Sequence, residues 1–365
     1  MSDLVVLSLE PWDGVWRRNQ YLVAGLLAAD PELRVLFVEP PDDPLHDVRN
    51  GRRPAMGSGL RRIDERLWGL RPVKWLPRRV DRTADDRLAR VTERAALRLG
   101  MRHPVLWIND PASVHLARRS GWPVLYDMTD DWLSADRPEG ERQRIAEGEA
   151  WLLREAAAVV ACSPELVRRK TEQRPGITLV RNGVDTARYL RPAPRPADAP
   201  AEPYALYLGT LHRDRIDVQL CVATAQALRG RGTLVFVGPE AWTARDSARV
   251  RQAGAVVLGP RARDEVPGYL QHADVLVVPH VVTSFTDSLD PLKLYEYQAV
   301  GRPVVSTPVA GFRDAQGVLV APSAAFADAV ASQVPSTTSF PEGADAHAVD
   351  WSTRVQEFRA VLPRP

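Results

Sequence analysis

Short, wholly apolar runs that each end in polar residues recur along this chain, separated by stretches with helical spacing. The first is LVVLSL. Trp12 to Leu27 then carries Val15, Leu22, Val23, Leu26 and Leu27 at helical intervals, and RVLFVEPP follows as a second run. A strand covered on both faces reads as continuous apolar sequence, so strand, loop, helix, strand predicts a doubly wound parallel sheet with ligands at the carboxyl ends of its strands. PVLWIND, WPVLYDMTD and AAVVACS continue the series. After ITLVRNGVD comes RPAPRPADAPAEP, a Pro/Ala stretch without apolar periodicity that reads as a linker. The pattern then restarts with YALYLGTL, a helix to about Arg229, TLVFVGPE, AVVLGP, DVLVVPH and RPVVST. Two parallel α/β domains are expected, over 1–188 and 204–345 with the linker at 189–203. The tail, 346–365, contains an amphipathic helix from Trp351 to Leu362.

A length of 365 residues and a 45% hydrophobic share suit two packed cores. The formal charge of +2 implies no global affinity for nucleic acid. Cys162 and Cys221 lie far apart in apolar contexts, with no His spaced to complete a metal site. That usage fits a reducing, cytoplasmic compartment. The N-terminus lacks a signal-peptide pattern, and no run reaches the roughly 18 apolar residues of a membrane span.

An Arg-rich insertion interrupts the first domain between Val48 and His103. In GLRRIDERLWGLRPVKWLPRRV, basic residues interleave with Trp68, Leu70, Trp75 and Leu76. Two readings stand. The stretch lies peripherally on anionic membrane, or its Arg stems cover a surface helix pair.

In TSFTDSLDPLKLYE a polar loop enters a helix expected to start with Asp290 as N-cap and Pro291 at its first position. Such an end offers free N–H groups and a positive dipole to a diphosphate without a metal. Lys293 and Glu296 fall on one face of this helix. The lysine suits a phosphate, the glutamate two ribose hydroxyls. At the start of the same domain, YLGTLHRDRID gives a strand, a turn at Gly209 and Thr210, and then Arg213 and Arg215 at the mouth of the next helix. Cations oppose the dipole there, so an external anion explains them better. Each feature alone is weak; their order together points to one pyrophosphate.

LKLYEYQAVGRPVVSTPVAG resembles the signature of family 4-type glycosyltransferases with the GT-B fold, K-x-x-E-x-x-A-x-G-x-P-V-V, here Lys293, Glu296, Ala299, Gly301, Pro303, Val304 and Val305. RNGVD, YLGTL, FVG and VLGPRARDEVPGYLQHADVLVVP add to it. The resemblance implies two Rossmann-like domains around a cleft, and transfer of a sugar from a nucleotide-diphosphate sugar, UDP-linked, to a hydroxyl acceptor. That acceptor is a glycan, glycolipid or secondary metabolite. No metal or other cofactor is expected. Glu296 matches the second glutamate of the family's E-x7-E motif, which holds the ribose. The first falls at Ser288, so contact with the donor sugar passes to Ser288, Asp287 or backbone amides, with Leu289 in the same loop. Arg215 takes the place of the phosphate-binding lysine. Thr210 stands where its partner arginine is found, and Arg213 compensates. Gly259 to Arg261 would line the base pocket, and the tail from Trp351 would brace the first domain.

Deprotonating an acceptor hydroxyl needs a base at a strand end. In YDMTDDW, Asp127, Asp130 and Asp131 cluster there, and crowding is expected to raise at least one pKa. The alternative is an Asp-rich helix cap at Thr129 or Asp130. The cluster is similar to the corresponding place in teichuronic-acid-type and xanthan-type glucuronosyltransferases; retention and inversion both stay open. By the same resemblance, the loop EPWDGVWRRNQ brings Asp13, Gly14, Trp16 and Arg17 near donor and acceptor, with Trp12 and Trp16 stacking on a sugar or stapling the helix start. His115 and His280 are lone histidines; His280 points toward the donor loop.

Three rivals are weighed. A UDP-sugar 2-epimerase-like isomerase shares the fold but needs a histidine-rich cleft. A dinucleotide oxidoreductase lacks its G-x-G-x-x-G here. A non-catalytic sugar- or lipid-binding scaffold would account for Ser288, but Glu296 and Arg215 are retained.

Overall fold

The computed structural model describes residues 3–364 apart from 50, 52, 79, 202, 337–339 and 341–347. The chain divides into two compact units, Met1–Arg181 with Arg354–Pro365, and Asn182–Thr353. The expected boundary at 345/346 lies outside the described residues.

In the first unit the strands are β1 (Asp3–Leu7), β2 (Arg34–Val38), β3 (Gly59–Asp64), β4 (Leu67–Arg71), β5 (Val105–Ile108), β6 (Val124–Met128), β7 (Ala158–Ala161) and β8 (Thr178–Leu179). Its helices are α1 (Arg18–Ala29), α2 (Pro44–Arg49), α3 (Ala84–Arg98), α4 (Val114–Ser120), α5 (Glu139–Glu155) and α6 (Pro164–Lys170). The sheet runs β3-β4-β2-β1-β5-β6-β7-β8. Every described pairing is parallel except the antiparallel β3–β4 hairpin. The order reverses between β1 and β5, and their residues are buried throughout, as the continuous apolar runs require.

The second unit holds α7 (Thr186–Leu190), β9 (Tyr204–Leu208), β10 (Leu211–His212), α8 (Val218–Ala227), β11 (Thr233–Val237), β12 (Glu240–Ala241), α9 (Ala244–Gln252), β13 (Val256–Gly259), α10 (Val266–Gln271), β14 (Val275–Val278), α11 (Leu292–Val300), β15 (Val304–Ser306), β16 (Val318–Val320) and α12 (Ser323–Ser332). Its main sheet, β13-β11-β9-β14-β15-β16, is parallel, with the order reversing between β9 and β14. The last helix, α13, spans Trp351–Val361, and the division between units falls at Thr353/Arg354 within it.

Three local expectations are corrected. The helix read from Trp12 begins at Arg18, because residues 11–17 form a loop pinned by the Trp12 N–H on the Glu39 carboxylate, 2.9 Å away. The Arg-rich insertion is not a helix pair: it adds the β3–β4 hairpin to the sheet edge and then α3. Its Arg61 and Arg71 reach inward to the buried Glu39. The Pro/Ala run has no strand or helix from Pro192 to Pro203 among its described residues, yet it packs on the second unit. Ala193 N–H donates to Gln271 Oε1 at 2.8 Å, and Tyr269 Oη donates to Asp198 Oδ1 at 2.5 Å.

Candidate functional site

In the second unit the carboxyl ends of β9 and β14, where the strand order reverses, are the place a ligand crevice is expected. Gly209 follows β9 with φ of +130°, and a Cβ there would stand 3.2 Å from the Lys293 ammonium. Gly238, after β11, has φ of +147°, and a Cβ would meet the Gly209 carbonyl oxygen at 2.1 Å. Both turns therefore demand glycine. The two glycines bring the turns into close backbone contact, with Lys293 lying against Gly209.

Lys293 Nζ donates to Tyr207 Oη at 2.7 Å, sits 4.0 Å from the Tyr207 ring centroid, and approaches His280 Nε2 at 3.4 Å. The Tyr207 hydroxyl is 3.2 Å from the same His280 nitrogen. Burial, with Arg215 nearby, lowers the Lys293 pKa to about 7, against a smaller opposing pull from Glu296. Burial and the two cations Lys293 and Arg215 hold His280 well below the ordinary histidine range, so its ring is neutral. The Arg215 guanidinium carbon lies 5.3 Å from the Phe285 ring centroid. Glu296 Oε1 accepts from Tyr189 Oη at 2.6 Å; burial raises its pKa, partly offset by that bond and by Lys293. Two cations and a carboxylate are thus held among neutral groups, and an arriving anion would relieve the crowding of positive charge.

The start of α11 differs from expectation. Pro291, extended at φ −73° and ψ 128°, is the cap residue. Asp290 lies one residue outside, its carboxylate bonded by the Asn182 N–H at 2.7 Å and the Tyr295 hydroxyl at 2.8 Å. No side chain caps the helix, which leaves its first N–H groups to an anion. Lys293 is the second residue of α11 and Glu296 stands three residues further on.

Other expected donor residues are placed differently. Arg213 does not join Lys293: it is 71% exposed, with Nε 3.7 Å from Asp246, over an open hollow that Arg245 and Arg249 also line. Arg261 donates to Tyr269 Oη at 2.7 Å and to the Leu258 carbonyl at 2.6 Å, and pairs with Asp198, which ties it to the Pro/Ala segment. Thr210 is half-buried in the turn after Gly209, and its carbonyl accepts from the His212 N–H at 3.0 Å. Ser288 is fully buried, its hydroxyl donating to the Phe285 carbonyl at 2.8 Å; Leu289 is buried beside it, and Asp287 pairs with Arg313.

In the first unit, Asp127 is fully buried and receives Arg18 through Nε and a second guanidinium nitrogen, both at 3.0 Å, as well as Asn109 Nδ2 at 3.1 Å. Asn109 Oδ1 in turn accepts from Asn19 at 2.7 Å, and Asn19 also reaches Ser8. This network closes the carboxyl ends of β1, β5 and β6, so Asp127 holds structure and is not placed to take an acceptor proton. Asp131 corrects the expectation of a raised pKa. Burial would lift it, but the Ser134 hydroxyl at 2.8 Å, Arg169 at 2.7 Å and the Lys170 charge outweigh burial and hold it below the usual range. Asp130, partly exposed, is the member of the cluster that reaches solvent.

The 11–17 loop is internally braced. Trp12 meets Phe37 edge-on at 5.0 Å and Trp16 at 5.9 Å, while Trp16 meets Tyr21 at 5.2 Å. Arg17 pairs with Glu10 at 3.1 Å and lies 3.7 Å from Asp13; Asp13 and Gly14 are exposed at the tip. Tyr207, Tyr189, Arg18 and Asn109 escaped sequence reasoning, because a Tyr in an apolar strand reads as core and a buried Arg has no local mark. His115, paired with Asp86 at 3.1 Å, belongs to the first unit and plays no part in this site.

Residues 202–334 match the family described as glycosyl transferases group 1. The chain is 25% identical over 218 residues to the putative teichuronic acid biosynthesis glycosyltransferase TuaH of Bacillus subtilis, covering 55% of each chain. It therefore spans about half the length of that relative. Among solved structures it is similar to OtsA, with a TM-score of 0.70 at 11% identity over 100% of both chains. It also resembles Anabaena HepE in complex with UDP-glucose, with a TM-score of 0.63 at 13% identity over 99% of both chains. The chain has the GT-B fold of two Rossmann-like units, and its segment 202–334 is similar to the group 1 glycosyl transferases.

Proposed function

We propose that this protein is a cytoplasmic glycosyltransferase. It moves a sugar from a nucleoside-diphosphate sugar, UDP-linked, to a hydroxyl on a glycan, glycolipid or secondary metabolite, without a metal. The observation that carries this reading is the placing of Lys293, at the uncapped start of α11, against the Gly209 turn, with the charges of Arg215 and Glu296 acting on it. In this reading Lys293, Arg215 and the α11 N–H groups hold the diphosphate. Glu296 accepts the ribose hydroxyls, and backbone groups at Gly209, Thr210, Ser288 and Leu289 line the sugar. The UDP-glucose complex of HepE, on the same fold, supports the choice of nucleotide.

In the reaction, the bond from the anomeric carbon to the diphosphate breaks, the acceptor oxygen bonds to that carbon, and the acceptor proton passes to a base. Asp130 is assigned that role because it is the partly exposed carboxylate of the cluster just past the end of β6, where Asp127 and Asp131 are buried. The test is calorimetry with UDP, GDP, ADP and TDP, followed by release of nucleoside diphosphate from sugar nucleotides in the presence of a chelator. UDP binding that Glu296→Ala weakens about tenfold or more supports the reading. Failure of every nucleotide to bind, or unchanged affinity in that variant, overturns it.

A further inference from the structure

Six of the eleven exposed large hydrophobic side chains among the described residues fall between Leu45 and Val80: Leu45, Val48, Met56, Trp75, Leu76 and Val80. That concentration in a tenth of the chain marks a patch rather than scatter. Three carboxylates gather the segments that carry it. Asp42 accepts the Gly57 N–H at 2.9 Å, Asp47 accepts the Ala55 N–H at 3.1 Å, and Asp43 pairs with Lys74 at 2.6 Å. A parallel bridge from Asp42 to Val73 completes the junction. So α2, the 53–58 segment and the loop after β4 meet at the carboxyl ends of β2 and β4. There Trp75 is 55% and Val80 67% exposed.

The charge around this patch is mainly positive, even with Asp42 and Asp43 counted beside it. Residues 44–83 contain eleven Lys or Arg against four Asp or Glu, in a chain whose formal charge is only +2. Arg61 and Arg71 are spent inward on Glu39. Arg49, Arg53 and Arg82 are exposed, and among the described residues they enter no ion pair. Cations around exposed tryptophan and aliphatic side chains fit a broad anionic and apolar surface. A symmetric second copy would set these cations against each other, which disfavours self-association through this face.

We propose that the face formed by α2, residues 53–58 and the loop after β4 docks on an anionic phospholipid bilayer. Trp75, Leu76 and Val80 enter the headgroup region, and Arg49, Arg53 and Arg82 meet lipid phosphates. None of these residues belongs to the donor site, so the docking stands or falls apart from the proposed reaction.

The full chain is sedimented with vesicles of phosphatidylcholine alone and of phosphatidylcholine with phosphatidylglycerol. The chain is expected to bind only the second kind, and less as salt is raised. Trp75→Ala with Leu76→Ser should lower the partition coefficient about tenfold. Arg49→Glu with Arg53→Glu should lower it by about fivefold per residue or more. Unchanged melting temperature and unchanged nucleotide affinity in the same variants show that they remain folded and that the loss is one of docking. The proposal is overturned if the chain ignores phosphatidylglycerol, binds both vesicles alike, or loses nothing in the variants. A wild-type dimer that Trp75→Ala with Leu76→Ser converts to monomer would assign the face to a second copy instead.

Discussion

At Lys293 the ammonium carries a pKa of about 7 because it is buried beside Arg215, and an added diphosphate would raise it. The sign follows directly. Above about pH 7 the free protein has lost this proton, while the nucleotide complex keeps it, so binding takes up a proton and affinity falls as pH rises. The limit is about tenfold per pH unit. Calorimetry in buffers of different ionisation enthalpy, between about pH 6 and 9, should register that uptake. Lys293→Arg, permanently charged, should abolish it, and a flat affinity in wild type would contradict the account. His280 contributes nothing in this window, since its pKa lies well below the ordinary range. A second residue-scale outcome concerns the buried pair Arg18–Asp127. Asp127→Ala strands a buried guanidinium and should cost about 3–5 kcal/mol in urea unfolding, whereas the joint replacement Arg18→Met with Asp127→Leu should cost far less. Asp130→Asn, by contrast, should leave nucleotide affinity intact and lower turnover by about a hundredfold or more. Turnover unaffected by that change would remove Asp130 from the role of base.

At the scale of elements, α5 carries a glycine with an unusual consequence. Replacing a helical glycine by alanine is ordinarily stabilising by about 0.5–1 kcal/mol. At Gly148 the added Cβ would lie 2.1 Å from the Pro111 carbonyl oxygen, a backbone atom that cannot give way cheaply. Gly148→Ala should therefore destabilise by about 1–3 kcal/mol in thermal unfolding; a raised melting temperature would show that α5 shifts at little cost. Elements such as this explain what was legible in the sequence. The stretches LVVL, VLY and YALYL are apolar throughout, because sheet strands covered on both faces leave no polar alternation, and each lies within a strand. The β3–β4 hairpin was hidden because Arg61, Arg62 and Arg71 gave it the look of a charged surface, although two of these arginines reach the buried Glu39. In the site, Lys293 and Glu296 were readable because they stand three positions apart on one helix. Arg213 was not, since a two-residue offset from Arg215 turns it toward Asp246. Asp127 looked like a base because its partner, Arg18, stands 109 residues away in the sequence.

At the scale of the molecule, the chain's last residues complete its first unit, for Arg354–Pro365 belong with Met1–Arg181. Phe358 is fully buried, its ring 4.5 Å from that of Trp107 in β5 and 5.9 Å from the Arg18 guanidinium. Val355 packs so closely on α1 that a Cβ at Gly25 would stand 2.3 Å from its methyl carbon. These contacts lie across the same strand ends that the Arg18–Asp127 pair closes, so the tail shares in fixing the polar network beneath the 11–17 loop. Phe358→Ala should cost about 3–5 kcal/mol, the range for removing a buried aromatic ring. The loss has a predicted location. Amide hydrogen exchange should quicken first in α1 and β5, whose side chains the ring supports, while the strands β9 and β14 that position Lys293 keep their protection and UDP affinity is unchanged. Equal loss of protection throughout Asn182–Thr353, or a lowered UDP affinity, would mean that the tail supports the donor-binding unit as well.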